Sequence, residues 1–263
     1  MDRRDVPKIT PIIDIHTHVL YGLDDGSQDL EMTMKLIDIE YEQGVRGIFL
    51  TNHSYGLAIT SDYGGKATHN EELYYEKYLV ISDAVKEKYP DLKLFTGCEI
   101  LCSSWEMGAL AEYIQEGIYP TMNGTRYVLL EFEPHETDGV SEMIECLEFA
   151  LNKGYIPIIA HAERYGALYD DALSDVIRMR ELGCKVQINL YSVEQDRGSL
   201  GGSRRELANL FLEHHLVDFV GTDTHNLTYK SPEAAVGAAA IRAKYGDEYA
   251  DEVLFKNAEK MLM

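Results

Sequence analysis

The segment Asp14-Ile15-His16-Thr17-His18 closes an apolar run and carries two imidazoles at alternate positions. Alternate residues of a strand face the same way, so His16 and His18 project together and could share one ion. A pair of polar strand-end residues is the plainer alternative. Asp14 has the same parity and could orient an imidazole from behind. Near the other end of the chain, Asp223-Thr224-His225 repeats the spacing. Between the two lie Asp24-Asp25-Gly26, Thr51-Asn52-His53, Gly97-Cys98-Glu99, Leu130-Glu131-Phe132 and Ala160-His161-Ala162-Glu163-Arg164. Each has a bland explanation of its own. Asp and Gly form turns, and a carboxylate after an apolar run is costly to bury and is usually salt-bridged. Taken jointly they fall at one strand end after another, and imidazoles and carboxylates in that pattern point to bound divalent cations. Nitrogen and oxygen ligands rich in carboxylate favour manganese, iron or zinc over thiolate-seeking metals.

Such residues need a scaffold that gathers strand ends. Short apolar runs predict strands at Ile12–Ile15, Gly47–Leu50, Leu92–Thr96, Tyr127–Leu130, Ile156–Ala160, Lys185–Ile188 and Val217–Gly221. Apolar spacings of three and four predict helices at Leu30–Gln43, Glu71–Lys88, Trp105–Glu116, Glu142–Asn152, Ala172–Leu182, Arg204–His214, Ser231–Tyr245 and Glu248–Met261. Strands alternating with helices imply parallel βαβ units in an α/β fold. Periodicity fits a doubly wound sheet and a closed barrel equally. The placement of polar residues separates them, because a barrel mouth collects the C-terminal ends of several strands whereas an open sheet scatters them. The expected fold is a (β/α)7 barrel, and with no linker or repeat in the sequence, residues 1–263 are expected to form one domain.

Composition narrows the partners. A formal net charge of −21 argues against nucleic acid, although metal ions can make a site locally positive on an acidic protein. No apolar run approaches the roughly 20 residues of a membrane span. The start MDRRDVPKIT lacks the apolar stretch of a secretory signal, so the cytoplasm is the expected compartment. Cys98, Cys102, Cys146 and Cys184 show no CxxC spacing and read as reduced core residues. A thiolate-based phosphatase needs an arginine six positions after its cysteine. Those positions hold Ser104, Gly108, Asn152 and Leu190, which closes that route.

The set HTH, DDG, NH, GCEI, LLEF, IAHAERY and TDTHN, in this order and spacing, resembles the PHP (polymerase and histidinol phosphatase) superfamily. More narrowly it is similar to the manganese-dependent protein tyrosine phosphatases of bacterial capsule and exopolysaccharide systems. The likeness runs from about Ile12 to the C-terminal helices. It implies a distorted TIM-like barrel of the PHP type and three divalent ions, Mn2+ first among them, with Fe or Zn as alternatives. One ion would be held by His16, His18, Glu99 and Asp223, a second by Glu131, His161 and a shared Glu99, and a third by Asp25, His53 and His225. It implies catalytic roles for Arg164, Asp25 and Glu131, with Arg164 on the substrate phosphate. The family's further arginine before a proline is replaced here by Lys230, in Lys230-Ser231-Pro232. Lysine is a point charge without the bidentate fork, so substrate binding by Lys230 would differ in kind.

With three divalent ions facing the carboxylates of Asp25, Glu99, Glu131 and Asp223, and neutral ligating histidines, the site would be net positive by about two charges. A phosphomonoester dianion suits it. The expected chemistry is attack of a metal-bridging hydroxide on phosphorus, with a tyrosine leaving group of pKa about 10 that departs without strong acid help. The implied partner is a phosphotyrosine protein, such as the tyrosine-rich tail of a bacterial tyrosine kinase controlling capsule synthesis. The Gly- and polar-rich loops Tyr55–Asn70 and Tyr191–Ser203 are the expected contacts with it. A small-molecule enzyme such as histidinol phosphatase would have almost the same ligands. A non-catalytic scaffold and a nuclease are further alternatives, opposed by the full ligand set and by the acidic surface.

Overall fold

Ile12–Thr17 (β1) is buried along its full length, as a parallel strand covered on both faces must be. The computed structural model describes residues 11–54, 58–59, 68–69, 71–102, 107–132, 139–168, 171–196 and 203–263. Within them the later strands are Val45–Leu50 (β2), Ala58–Ile59 (β3), Thr68–His69 (β4), Lys93–Thr96 (β5), Glu99–Cys102 (β6), Tyr127–Phe132 (β7), Ile156–Ile159 (β8), Lys185–Asn189 (β9) and Phe219–Gly221 (β10). Parallel pairing gives the orders β1-β2-β5 and β10-β9-β8-β7-β6, while β3 and β4 form a short antiparallel pair.

The two parallel sheets meet at two seams. At one, Asp223 N donates to His16 O and His18 N to Thr224 O, both at 2.8 Å. At the other, Glu99 N donates to Thr51 O at 3.2 Å and to Asn52 O at 3.1 Å. Isolated bridges Thr17–Thr224 and His53–Glu99 mark the same places. The ring therefore closes as the expected α/β barrel, distorted because its joints are single bridges rather than ladders.

One predicted strand is really half of a broken one. The run ending at Thr96 pairs with β2, leaves the sheet at Gly97-Cys98, and returns as β6 beside β7. Tyr74, wholly buried on helix Glu71–Lys88, occupies the break: its hydroxyl donates to Leu50 O at 2.9 Å and accepts from Gly97 N at 3.0 Å. A side chain thus takes up strand hydrogen bonds, which hydrophobic periodicity does not register.

Helices surround the ring. Asp29 caps Leu30–Glu42 by accepting from Met32 N, and Ser203 caps Arg204–Glu213 by accepting from Glu206 N. The helix expected from Ser231 begins only at Ala235, where Gln43 Oε1 accepts from Ala234 N and Ala235 N at 2.8 and 3.0 Å. The expected C-terminal helix runs as Asp247–Asp251, a π-helical turn Glu252–Lys256, and Asn257–Met261. Helix Met107–Gln115 falls within the predicted span, whose Trp105 lies outside the described residues. Of the two expected binding loops, residues 55–57, 60–67, 70 and 197–202 lie outside them too.

Ile13, Ile15, Phe49, Leu129, Ile158 and Phe219 form an apolar cluster inside the ring, closed below by Ala258 and Met261. A larger cluster packs the outer faces of the strands against the helices. Among the described residues no helix is long and apolar enough to cross a membrane.

Tyr74→Phe removes one hydroxyl and leaves a buried N–H and a buried carbonyl without it. The expected loss is about 1–3 kcal/mol of unfolding free energy, read from urea denaturation with an unchanged slope.

Candidate metal centre

Glu99 opens β6 with no exposed surface, at the hub of the barrel mouth. Its Oε1 lies 2.9 Å from His161 Nε2 and 3.2 Å from His16 Nε2. Its Oε2 lies 2.9 Å from His53 Nδ1 and 3.2 Å from His18 Nε2. Asp223 Oδ1 stands 3.5 Å from His18 Nε2 and 3.8 Å from His16 Nε2. Glu131 faces His161 and His53, each at 3.4 Å. Asp25 reaches His225 Nε2 at 3.4 Å and His53 Nε2 at 3.6 Å. The fold thus brings together all nine side chains singled out as ligands. They group as His16–His18–Asp223, His16–Glu99–His161, His53–Glu99–Glu131 and His18–Asp25–His53–His225. The last grouping is at the rim, since the Asp25 side chain is 54% exposed.

These residues suit divalent ions. Donor atoms about 2.1 Å from one ion at right angles lie about 3 Å apart, close to the separations found. The imidazoles demand positive charge directly. His16 Nδ1–H donates to Gln187 Oε1 at 3.1 Å and His18 Nδ1–H to Asp24 Oδ2 at 2.8 Å, yet the two Nε2 atoms face each other at 3.2 Å. Two neutral rings so held would oppose lone pairs beside carboxylates, so a proton or a metal cation must sit among them.

Protons can do so because neighbouring carboxylates raise the imidazole pKa values. Burial opposes a charged His18, but Asp24 and Glu99 outweigh it and bring the ring up to about 10. Burial and Arg164 oppose a charged His161, but Glu131 and Glu99 push it up to about 9. Burial would raise Glu99, yet His16 and His53 hold it well below the carboxylate range. Asp223 is held low in the same way, with Lys230, His16 and Arg164 overcoming burial.

Backbone geometry aims the side chains. His161 (φ 31°) and Asp223 (φ 55°) adopt left-handed conformations that cost a non-glycine residue roughly 1–3 kcal/mol. Gln187 Oε1 accepting from His161 N at 2.7 Å, and His16 O accepting from Asp223 N, hold them there. Gly26 lets the Asp24-Asp25 loop fold onto β1, since a Cβ there would lie 2.2 Å from His18 O. Gly221 is equally confined: a Cβ would sit 2.5 Å from that of His16.

Some positioning residues escape the sequence reading. Asp24 anchors His18 and also accepts from His53 N and Asn52 Nδ2, at 2.8 and 2.9 Å. Gln187 anchors His16, and Asn189 Nδ2 donates to Asp223 Oδ2 at 3.2 Å. Gln187 and Asn189 sit at alternate positions near the end of β9, the strand without an assigned ligand, and this parity was the available signal. Asp14 does not orient an imidazole: it accepts from His16 N and Thr222 N and lies near Glu40, behind the centre. β1 is irregular between Asp14 and Thr17, which breaks the simple parity. Burial lifts Asp14 to about 6 against the hydrogen bonds from Thr222 and His16.

Arg164 and Lys230 flank Asp223. Arg164 Nη1 donates to Asp223 Oδ2 at 3.0 Å, while Lys230 Nζ is 4.0 Å from Oδ1. Both cations are partly exposed, at 20% and 26%, beside the buried Asp223.

The family model described as "Capsular polysaccharide synthesis, CpsB/CapC" matches residues 12–263. The chain belongs to the CpsB/CapC family. Tyrosine-protein phosphatase CpsB of Streptococcus pneumoniae is 33% identical over 254 residues, covering 96% of this chain and 98% of that protein. Tyrosine-protein phosphatase YwqE of Bacillus subtilis is 27% identical over 260 residues, covering 95% and 91%. A solved structure from work on YwqE and CpsB, described as unique metal-dependent tyrosine phosphatases, superposes with a TM-score of 0.77 at 25% identity over 95% of this chain and 94% of that one. The phosphotriesterase homology protein of Escherichia coli shares the fold, with a TM-score of 0.56 at 13% identity over 97% and 99%.

In this CpsB/CapC member, ligation needs neutral imidazoles whereas His18 and His161 hold protons to about 10 and 9. Metal binding at pH 7 is therefore expected to release protons, and manganese affinity to rise with pH toward those values. Calorimetry in two buffers of different ionisation enthalpy reads the release. Gln187→Met removes the acceptor behind His16, and equilibrium dialysis is expected to show manganese affinity down by about 10–100-fold.

Proposed function

We propose that this chain is a single-domain, manganese-dependent protein tyrosine phosphatase holding three ions. The observation that carries the reading is the convergence of His16, His18, Glu99 and Asp223 on one point with Arg164 at its edge. Similarity to tyrosine-protein phosphatases along nearly the whole chain supports the choice of substrate. Divalent ions bound there supply Lewis acidity and a water acidic enough to attack near neutral pH.

The protein's own groups do the rest. Glu99 and Asp223 provide fixed negative charge deep in the mouth, and Asp24 and Gln187 hold two imidazoles in register. Asp25 and Glu131 complete the outer positions as the catalytic carboxylates. Arg164 takes the non-bridging phosphate oxygens, turning from its single bond with Asp223 toward the incoming dianion. Lys230 adds a point charge on the opposite side of Asp223. Leu227 and Tyr229, 42% and 67% exposed, lie beside Lys230 in sequence and offer apolar contact to a phosphotyrosyl peptide. The partner is a phosphotyrosine protein of the cytoplasm, with the tail of a bacterial tyrosine kinase in capsule synthesis as the candidate.

Phosphotyrosine peptide is expected to be hydrolysed with a higher kcat/KM than histidinol phosphate, and a chelator is expected to abolish turnover until manganese is restored. Preference for histidinol phosphate would overturn the protein-substrate reading. Arg164→Ala is expected to lower kcat/KM on the peptide on the order of 100-fold, the scale of losing one transition-state donor. Unchanged turnover would remove Arg164 from the phosphate.

A further inference from the structure

His225 Nδ1–H donates to Asp223 O at 2.9 Å, so its Nε2 offers a lone pair. Lys230 Nζ donates to that lone pair at 2.9 Å. The same Nε2 belongs to the His18–Asp25–His53–His225 group at the rim. An ion bound there would need it at about 2.1 Å. One lone pair does not serve an ammonium and a divalent ion together.

The lysine is delivered by a tightly closed loop. His225 N and Asn226 N both donate to Lys230 O, at 2.9 and 3.2 Å. Asn226 Oδ1 accepts from Thr228 N, Thr228 Oγ1 and Lys230 N, at 3.0, 2.9 and 3.3 Å. The backbone at Lys230 is thereby fixed, and adjustment falls to its flexible four-carbon stem. That side chain is 26% exposed and lies near the anion-facing edge of Asp223, opposite Arg164. A phosphate oxygen there is the natural alternative partner for the ammonium.

We propose that Lys230 is an internal competitor for the rim ion, displaced from His225 when a phosphate group draws its ammonium away, so that phosphate and the rim ion bind cooperatively. The inference rests on the metal-centre reading and adds a regulatory role for a residue otherwise assigned only to substrate. Linkage requires reciprocity: phosphate tightens the ion by the factor by which the ion tightens phosphate. Lys230 Nζ meets His225 Nε2 at 2.9 Å and stands farther from Asp223 Oδ1, at 4.0 Å, so the competition centres on the rim group.

Equilibrium dialysis against manganese, followed by elemental analysis, tests the idea with phenylphosphonate as the anion. For the weakest-bound manganese equivalent, Lys230→Met is expected to raise affinity on the order of tenfold without the phosphonate, within the usual range of site-to-site coupling. The phosphonate should tighten the same equivalent in the wild type and lose that effect in Lys230→Met, with Lys230→Gln as a second uncharged variant. Equal manganese affinities in all three proteins, or an undiminished phosphonate effect in the variants, would overturn the competition alone. A wild-type protein that binds no manganese would overturn the metal centre with it.

Discussion

A wholly buried carboxylate surrounded by imidazoles is the constraint on which this molecule turns. Glu99 meets His16, His18, His53 and His161 within 3.2 Å. Isolated in the interior, such a charge would be too costly to keep; with positive charge around it, the same group becomes an anchor. Protons or metal ions can supply that charge, and the exchange between them ties metal binding to pH. The centre is therefore a place where polar side chains are stable only together.

The barrel is built to bring them together. Its two parallel sheets join through Thr17–Thr224 and His53–Glu99, and both bridges lie within or beside the ligand-bearing segments. Closing the ring and assembling the centre are thus nearly the same event. The left-handed backbones of His161 and Asp223 fit this picture, since strain at a site persists where neighbouring hydrogen bonds over-determine it. Behind the mouth, Asp14 and Glu40 with Thr222 and Thr224 form a second buried polar layer that fixes the backbone on which His16 and Asp223 stand.

Depth divides the centre into two kinds of position. Around Glu99 and Asp223 the ligands are buried and supported by Gln187, Asn189 and Asp24. At the rim, Asp25 is half-exposed and Lys230 contacts His225 directly. The deep part is thus held by hydrogen bonds on several sides, while the outer part opens at Asp25.

Much of this was legible in the residues themselves. His16, His18, Glu99, Glu131, His161, Asp223 and His225 each lie within or close behind an apolar run. Strand alternation plus the barrel rule is enough to send such residues to one mouth, because that inference needs only local periodicity and the direction of parallel strands. The supporting residues were not legible. Gln187 and Asn189 look like ordinary polar strand residues, Asp24 like a turn former, and Tyr74 like a core aromatic. Gln187 depends on a partner far along the chain, with 171 positions separating it from His16, whereas Asp24 folds back on His18 only six positions away through a loop whose shape periodicity does not register. Lys230 lies only five positions from His225, and its charge was evident while their contact, made by an irregular loop, was not. Sequence determined which groups could bind cations and on which kind of scaffold; the tertiary fold alone decided which atoms face one another, because hydrogen bonds between distant segments leave no periodic trace.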